Sequence, residues 1–156
     1  MSYNILMVCT GNICRSPMAE VMLREKLEPD LKDIVNISSA GVNAINNNRA
    51  TERAVEAMYE KGLDLSNHKA RFLTIDLLKD SDLVIVMEKV HLRLIQNLYR
   101  SEKNKTFLLS TFCPDKKKFD IPDPYGSSMK VYRKSATLIE RCLDGVIDFV
   151  RDQTSV

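Results

Sequence analysis

The sequence predicts one α/β domain over residues 1–156, with three layers: a four-stranded parallel sheet flanked by helices on both faces. The first observation is length, because 156 residues fit one compact domain. The second is that short apolar runs alternate with longer segments of helical periodicity. The third is that these runs are continuously apolar, as in strands buried on both faces. Strands joined by helices form right-handed crossovers and pair in parallel.

Four segments have the length and apolar character of buried strands. They are residues 3–8, 34–38, 82–87 and 106–109. The third, which contains Leu-Val-Ile-Val, is the clearest. Between these strands, residues 39–41 and 46–48 have the composition of a loop, and so does the proline-rich segment 111–127.

The helices are predicted from capping residues and apolar spacing. Ser16 and Pro17 are typical of an N-cap followed by the first helical position, and this helix is expected to stop near Pro29. Gly62 is suited to the position just past a helix end. The remaining helical segments are predicted at about 50–61, 74–79, 89–100 and 129–150.

Composition excludes several functional classes. The formal net charge is only +2, which argues against a general nucleic-acid or membrane-surface binder, and the basic run 116–118 is short. No apolar stretch has the length of a membrane span, and no export signal is visible. The four cysteines are therefore expected to be thiols in a reducing cytoplasm. Without a Cys-x-x-Cys pair, and with His68 far from His91, no metal site is expected.

Residues 9–16 join the first strand directly to the first helix, at the sheet edge where ligands bind in parallel α/β folds. Backbone N–H groups of such a loop can converge on an anion, and the helix N-terminus adds positive potential there. Arg15 supplies a planar fork that can hold two phosphate oxygens. The predicted phosphate-binding residues are Thr10, Gly11, Asn12, Ile13, Cys14, Arg15 and Ser16.

Cys9 is the predicted nucleophile of this loop. The same positive environment favours its thiolate, which can attack phosphorus in line and form a phosphocysteine. Ser16 is expected to donate its hydroxyl to that thiolate. Cys14 is either a small core residue or a resolving thiol that forms a disulfide with oxidised Cys9. Cys113 and Cys142 are expected to be structural.

Breaking a phosphate ester also requires a proton for the leaving oxygen, and residues 120–126 contain a candidate donor. Pro122 and Pro124 restrict the backbone on both sides of Asp123. Tyr125 places an aromatic side chain beside this carboxyl group. Asp123 is the predicted general acid and base, and Asp120 is the competing carboxylate.

Together, these segments resemble the low-molecular-weight protein tyrosine phosphatases over nearly the whole chain. The resemblance lies in the run VCTGNICRSPMAE at 8–20, Ser-Ala-Gly at 39–41, His-Lys-Ala-Arg at 68–71 and Asp-Pro-Tyr at 123–125. It implies a phosphocysteine intermediate, no cofactor and no metal. Carried over by position, Cys9 is the nucleophile, Arg15 the phosphate ligand and Asp123 the acid. Asn12 would hold the loop in shape, supported by Ser39 and His68.

Substrate preference depends on the cleft around this loop. Many members of the family have a tryptophan wall, but this chain has no Trp, so Ile45 or a neighbouring Asn would take that place. The related protein-arginine phosphatases tend to carry Thr where Ile13 stands and Phe where Tyr125 stands. A branched apolar Ile13 suits a flat phenyl ring better than a guanidinium, which favours phosphotyrosine in proteins as the substrate.

Two other classes remain as alternatives. A phosphocysteine carrier or phosphate-binding module also places a cysteine after the first strand, but Arg15 with Asp123 favours turnover. Thiol-linked arsenate reductases need further cysteines after the central strand, where residues 86–89 read Val-Met-Glu-Lys. The expected partners are phosphotyrosine-containing proteins, and the expected assembly is a monomer or weak homodimer.

Overall fold

The computed structural model describes residues 2–115 and 117–155, so Lys116 of the basic run lies outside the described residues. Four parallel strands form one sheet, in the order β2-β1-β3-β4. The strands are β1 (Tyr3–Cys9), β2 (Val35–Gly41), β3 (Leu83–Val86) and β4 (Thr106–Leu108). The predicted α/β class and four-stranded parallel sheet are therefore confirmed.

Helices connect the strands and cover both faces of the sheet. They are α1 (Arg15–Lys26), α2 (Pro29–Lys32), α3 (Glu52–Tyr59), α4 (Ile75–Lys79), α5 (Lys89–Leu98) and α6 (Met129–Thr154). Two 3₁₀ turns, Arg100–Lys105 and Leu109–Phe112, flank β4. This arrangement matches the crossovers expected from alternating strand and helix patterns.

The two faces of the sheet pack into separate cores because side chains alternate along each strand. Ile5 and Met7 of β1 belong to the larger core, which contains residues of α1, α3 and α6. Leu6 and Val8 face the opposite way, into a smaller core with residues of α4 and α5. Burial on both faces explains why the strands read as continuous apolar runs.

The first helix begins earlier than its sequence predicts. Arg15 is the first helical residue, and Cys14, rather than Ser16, is at the N-cap. The hydroxyl of Ser16 is hydrogen-bonded to residues of the preceding loop instead of to a backbone N–H. Proline is still compatible with position 17, because N–H groups of the first helical turn have no intrahelical acceptor.

Other boundaries differ by a few residues for local reasons. Pro29 begins the short helix α2, after α1 has ended at Lys26. The Thr51 side chain accepts a hydrogen bond from Ala54 N (3.3 Å), so α3 begins after it. Gly62 has a φ of +77°, as its predicted place past a helix end requires. The last helix extends to Thr154 rather than 150.

Residues 39–41 are part of strand β2 and not of a loop, which corrects the sequence prediction. They continue the parallel pairing with β1 as far as the Cys9–Gly41 register. At Gly41 a side chain is excluded by the chain itself, since an added Cβ would lie 2.5 Å from Thr10 O. The small residues of this segment therefore let the end of β2 approach the loop that follows β1.

Strand order reverses at β1, and this decides where a ligand can bind. The chain leaves β1 towards β2 on one side, and later returns to β3 on the other side. In open parallel sheets this reversal opens a crevice at the carboxyl ends of the strands. Residues 9–16 lie at that crevice.

Candidate active site

Cys9 lies at the floor of a cup formed by residues 9–16. Its side chain is 2% exposed. The backbone N–H of Asn12 donates to Cys9 Sγ (3.3 Å), and Ser16 Oγ lies 2.9 Å from the same sulfur. A backbone N–H and a hydroxyl group therefore both lie within hydrogen-bond distance of the Cys9 sulfur.

Asn12 holds the cup in an unusual backbone conformation. Its φ of 55° is left-handed, a region that asparagine tolerates better than most residues. Its Oδ1 accepts from Arg71 N (2.8 Å), and its carbonyl accepts from His68 Nε2 (2.7 Å). Its Nδ2 donates to Ser16 Oγ (2.8 Å) and Ser39 Oγ (2.9 Å). Both polar atoms of the buried Asn12 side chain are therefore hydrogen-bonded, and these bonds hold the loop in its conformation.

These contacts also determine the direction of the hydroxyl protons. Because Asn12 Nδ2 donates to Ser16 Oγ, the proton of Ser16 is free to point at Cys9 Sγ. Ser39 likewise donates its proton to Glu20 Oε1 (2.6 Å). The network thus leaves the Ser16 hydroxyl able to donate to the Cys9 sulfur, and its role in stabilising a thiolate remains a prediction.

Arg15 is almost fully buried, at 1% exposure, and closes one side of the cup. Its Nη1 donates to Glu88 Oε2 (2.5 Å) and to the carbonyl of Ile121 (2.9 Å). Its Nη2 lies 3.4 Å from Thr10 Oγ1 and 3.6 Å from Asp123 Oδ2. Within the described residues, its Nε has no hydrogen-bond partner. One edge of the guanidinium is thus anchored, and the edge formed by Nε and Nη2 is suited to two phosphate oxygens.

The structure separates the two candidate acids. Asp123 lines the cleft above Cys9, has a half-exposed side chain, and accepts from Tyr125 N (3.1 Å) through Oδ1. Asp120 accepts from Lys89 N (2.8 Å) instead, at the start of α5, and does not line the cleft. Of the two carboxyl groups, Asp123 is therefore the one that lines the cleft.

Above the cup is a cleft of about 370 Å³. Ile13, Ile45 and Tyr125 provide apolar surface along it, and Ile45 and Tyr125 are 68% and 66% exposed. Asn43 and Asn48 also line the cleft. Ile45 and neighbouring Asn residues, which the sequence analysis proposed in place of the missing tryptophan, therefore all line the cleft.

Cys14 lines the same cleft and is buried against two hydroxyl groups. Its Sγ lies 3.3 Å from the Tyr132 hydroxyl and 3.5 Å from Thr51 Oγ1. Burial raises the pKa of the Cys14 thiol. Burial and the contact with Cys14 also raise the pKa of Tyr132 to about 12. At neutral pH, Cys14 is therefore a protonated thiol near Cys9.

Sequence reasoning did not identify several residues that complete the site. Glu88 and the carbonyl of Ile121 hold Arg15, and Arg71 and Glu20 hold the Asn12–Ser39 network. Glu88 could have been found, because it follows soon after β3, the strand beside β1, and strand ends of a parallel sheet share one edge. The contact with the carbonyl of Ile121 could not be predicted, because every residue type carries a backbone carbonyl.

The described residues also bear on metal binding and on membrane insertion. No group of three or more His, Cys, Asp or Glu side chains is arranged to hold a metal ion. No helix among residues 2–115 and 117–155 is long and apolar enough to cross a membrane.

Comparisons with known proteins agree with this site. The sequence pattern of the low molecular weight phosphotyrosine protein phosphatase family matches residues 4–155. The chain is 37% identical to a probable low molecular weight protein-tyrosine-phosphatase, EpsP, of Ralstonia solanacearum, covering 97% of this chain and 98% of that protein. It is 38% identical to the protein-arginine-phosphatase of Bacillus subtilis, with coverages of 90% and 92%.

The fold agrees as well. The crystal structure of a low molecular weight protein tyrosine phosphatase from T. tengcongensis superimposes with a TM-score of 0.86 at 37% identity, covering 94% of this chain and 99% of that one. Sequence, fold and the arrangement around Cys9 and Arg15 lead to one conclusion. The chain is a phosphatase that belongs to the low molecular weight phosphotyrosine protein phosphatase family.

Proposed function

We propose that this phosphatase hydrolyses phosphotyrosine in proteins through a phosphocysteine intermediate on Cys9. The observation that carries the proposal is the environment of the Cys9 sulfur, which lies beneath an open cleft. Asn12 N–H and Ser16 Oγ are within hydrogen-bond distance of this sulfur, and Arg15 lines the same cleft. This arrangement suits a nucleophile that attacks phosphorus from below.

The first step forms a sulfur–phosphorus bond and breaks the bond between phosphorus and the tyrosyl oxygen. The electron pair of that broken bond goes to the phenol oxygen, which takes a proton from Asp123. Arg15 holds two of the equatorial phosphoryl oxygens through Nε and Nη2, and the loop N–H groups hold the rest.

The second step releases phosphate. Asp123, now a carboxylate, accepts a proton from a water molecule that attacks phosphorus, and the sulfur–phosphorus bond breaks. The electron pair returns to Cys9, where the Ser16 hydroxyl and the Asn12 N–H stabilise the thiolate. The enzyme is then restored, with no redox change and no metal.

Three apolar or aromatic side chains that line the cleft support phosphotyrosine as the substrate, because they could pack against a phenyl ring. They are Ile13, Ile45 and Tyr125, of which Ile45 and Tyr125 are exposed. The alternative substrate is phosphoarginine, which the similarity to the Bacillus subtilis protein-arginine-phosphatase favours. A guanidinium beside Ile13 would place polar N–H groups against an aliphatic side chain, at a desolvation cost.

A side-by-side assay on matched phosphotyrosyl and phosphoarginyl peptides tests the substrate. We expect a higher kcat/KM for phosphotyrosine, and the variant Ile13→Thr should shift the ratio towards phosphoarginine. A wild-type preference for phosphoarginine would refute the assignment. Metal-free turnover of an aryl phosphate separates an enzyme from a phosphocysteine carrier, because a carrier releases at most one equivalent of phenol.

We also propose that Cys9 and Cys14 form a reversible disulfide after oxidation of Cys9. A sulfenic acid on Cys9 would lose water as the Cys14 thiol attacks its sulfur. Exposing the protein to hydrogen peroxide and then to dithiothreitol tests this. Wild type should recover most of its activity, whereas Cys14→Ala should be inactivated irreversibly. Equal recovery of both would refute the proposal.

The cellular setting follows from the same thiols. All four cysteines are free in the described structure, and a thiolate nucleophile requires reducing surroundings, so we propose a cytoplasmic location. The proposed partners are phosphotyrosine-containing proteins rather than nucleic acids. A monomer or weak homodimer is expected, and sedimentation velocity would measure it.

A further inference from the structure

His91 is a buried histidine close to the cup that neither the sequence analysis nor the proposed reaction uses. It lies in the first turn of α5, only 1% exposed. Its Nδ1 is 3.1 Å from the backbone N of Glu88, and its Nε2 is 2.9 Å from Thr10 Oγ1. Thr10 directly follows the nucleophile.

The contact with Glu88 determines the tautomer of the ring. A backbone N–H can only donate, so Nδ1 of His91 must be the acceptor and carry no proton. The neutral ring therefore holds its proton on Nε2. Burial and the nearby positive charge of Arg15 lower the pKa of His91 to about 4, opposed by the carboxylates of Glu88, Asp120 and Asp123. At neutral pH, Nε2 donates to Thr10 Oγ1.

This donation restricts what the Thr10 hydroxyl can do. Its oxygen accepts from His91 Nε2 and, at 3.4 Å, from Arg15 Nη2, which occupies both lone pairs. Its proton makes no hydrogen bond within the described chain. Thr10 lines the cleft together with Cys9 and Arg15. The hydroxyl proton is therefore available to a group bound in the cleft.

We propose that the Thr10 side chain donates a hydrogen bond to a phosphoryl oxygen, and that His91 is a positioning residue that orients it. The proposal deepens the proposed function, on which it rests. The donor adds to the loop N–H groups and Arg15, and its oxygen is held by His91 Nε2 and Arg15 Nη2.

The first test is a pair of Thr10 variants. Loss of one hydrogen bond to a charged acceptor corresponds to about a 10- to 100-fold change. Thr10→Val should raise the inhibition constant of inorganic phosphate by that factor, while Thr10→Ser should stay within about threefold of wild type. An unchanged phosphate inhibition constant in Thr10→Val would overturn the proposal.

The second test separates positioning from mere packing. His91→Phe should weaken phosphate binding nearly as much as Thr10→Val, and the double variant should be no worse than the worse single variant. If the losses of phosphate affinity in the two single variants add up in the double variant, His91 does not act through Thr10, and its role as a positioning residue is overturned. Val90→Ala, at the exposed neighbouring position of α5, is the matched control and should bind phosphate normally.

The outcomes also separate this inference from the proposed function. Phosphate affinity measured by titration calorimetry requires no turnover, so it can be read even in Cys9→Ser. If Cys9→Ser is inactive but Thr10→Val binds phosphate normally, only the Thr10–His91 inference fails. If Cys9→Ser retains activity, the proposed reaction fails, whatever the Thr10 variants show.

Discussion

The cup at residues 9–16 and the acid loop at 120–125 meet at one cleft but are built in opposite ways. In the cup, Cys9, Asn12, Arg15 and Ser16 are between 0% and 2% exposed, and side chains from several elements hold them. In the acid loop, the side chain of Asp123 is 49% exposed. Its contacts are one with Tyr125 N and a longer one with Arg15.

The difference reflects what each region would do in catalysis. Stabilising charge on a phosphoryl group requires donors that are already in place, because reorganising them during the reaction would raise the barrier. A general acid needs only to reach one oxygen of a leaving group. We therefore expect substitutions in the cup to affect both stability and chemistry, and substitutions in the acid loop to affect chemistry alone.

The largest expected effect is at the floor of the cup. Cys9→Ser removes the thiolate and should lower kcat by at least about 10⁴-fold, since loss of a nucleophile leaves only binding effects. Phosphate or vanadate binding should survive, because the N–H groups and Arg15 remain. Steady-state kinetics and calorimetry measure the two quantities. Substantial activity in this variant would mean that another group attacks phosphorus.

In the acid loop, Asp123→Asn should cost about 10²- to 10⁴-fold in turnover of esters with poor leaving groups. Esters with good leaving groups should be affected much less, because they depart without a proton. A series of aryl phosphates of graded leaving-group pKa measures this dependence. Asp120→Asn is the matched control and should be close to wild type. A uniform loss across the series would contradict the assigned role of Asp123.

Substitutions in the cup should also lower the free energy of unfolding more than substitutions in the acid loop. Asn12→Ala removes the three buried hydrogen bonds that the Asn12 side chain makes with Ser16, Ser39 and Arg71, and leaves alanine at positive φ. The free energy of unfolding should fall by about 2–4 kcal/mol. Asp123→Asn should change it by less than about 0.5 kcal/mol. Urea denaturation of both variants tests the contrast, and equal losses would remove it.

The lowered pKa of His91, beside the cup, predicts that the free energy of unfolding depends on pH. Its pKa falls from 6.5 to about 4 on folding, so the unfolded chain binds more protons at this residue between those values. Stability contributed by neutral His91 is thus present above about pH 6.5 and declines as the pH falls towards 4, by on the order of 2–3 kcal/mol. The difference between wild type and His91→Phe, from urea unfolding at pH 7 and pH 4.5, isolates this contribution. A pH-independent difference would contradict it.

The smallest expected effect is at the rim of the cleft. Ile45→Ala removes exposed apolar surface beside Tyr125 without touching the cup. KM for a phosphotyrosyl peptide should rise about two- to fivefold, with kcat unchanged, because only contact area with the bound substrate is lost. Michaelis–Menten kinetics measure both constants. A large fall in kcat would instead indicate that the rim helps to position the acid loop.

Much of the site was accessible from local pattern. The thiol at a strand end, the small residues after it, Arg15 and the Ser-Pro pair all lie within nine consecutive positions, where physical chemistry acts at short range. Asp123 was predicted as the acid from its place between two prolines and from the family resemblance, and it lines the cleft. Ser16 was misassigned as an N-cap because its hydroxyl partners, Cys9 and Asn12, precede it in the loop and outcompete the helix N–H groups.

Groups that are distant in sequence were not accessible in this way. Glu88 lies 73 positions from Arg15, and His91 lies 81 positions from Thr10. The carbonyl of Ile121 that accepts from Arg15 is a property of backbone direction and not of residue type. Residues 39–41 appeared to be a loop, since pairing with β1 cannot be read from small side chains.

Local order along the chain was therefore enough to specify the layered α/β class, the strand–loop–helix unit and the chemical groups that it carries. These depend on periodicity, capping and residue type, which act between neighbours. The anchoring of Arg15, the support of Asn12 and the direction of the Thr10 hydroxyl depend on how β1, β3 and α5 assemble. Such contacts follow from strand order and packing, which bring together side chains that no local pattern connects.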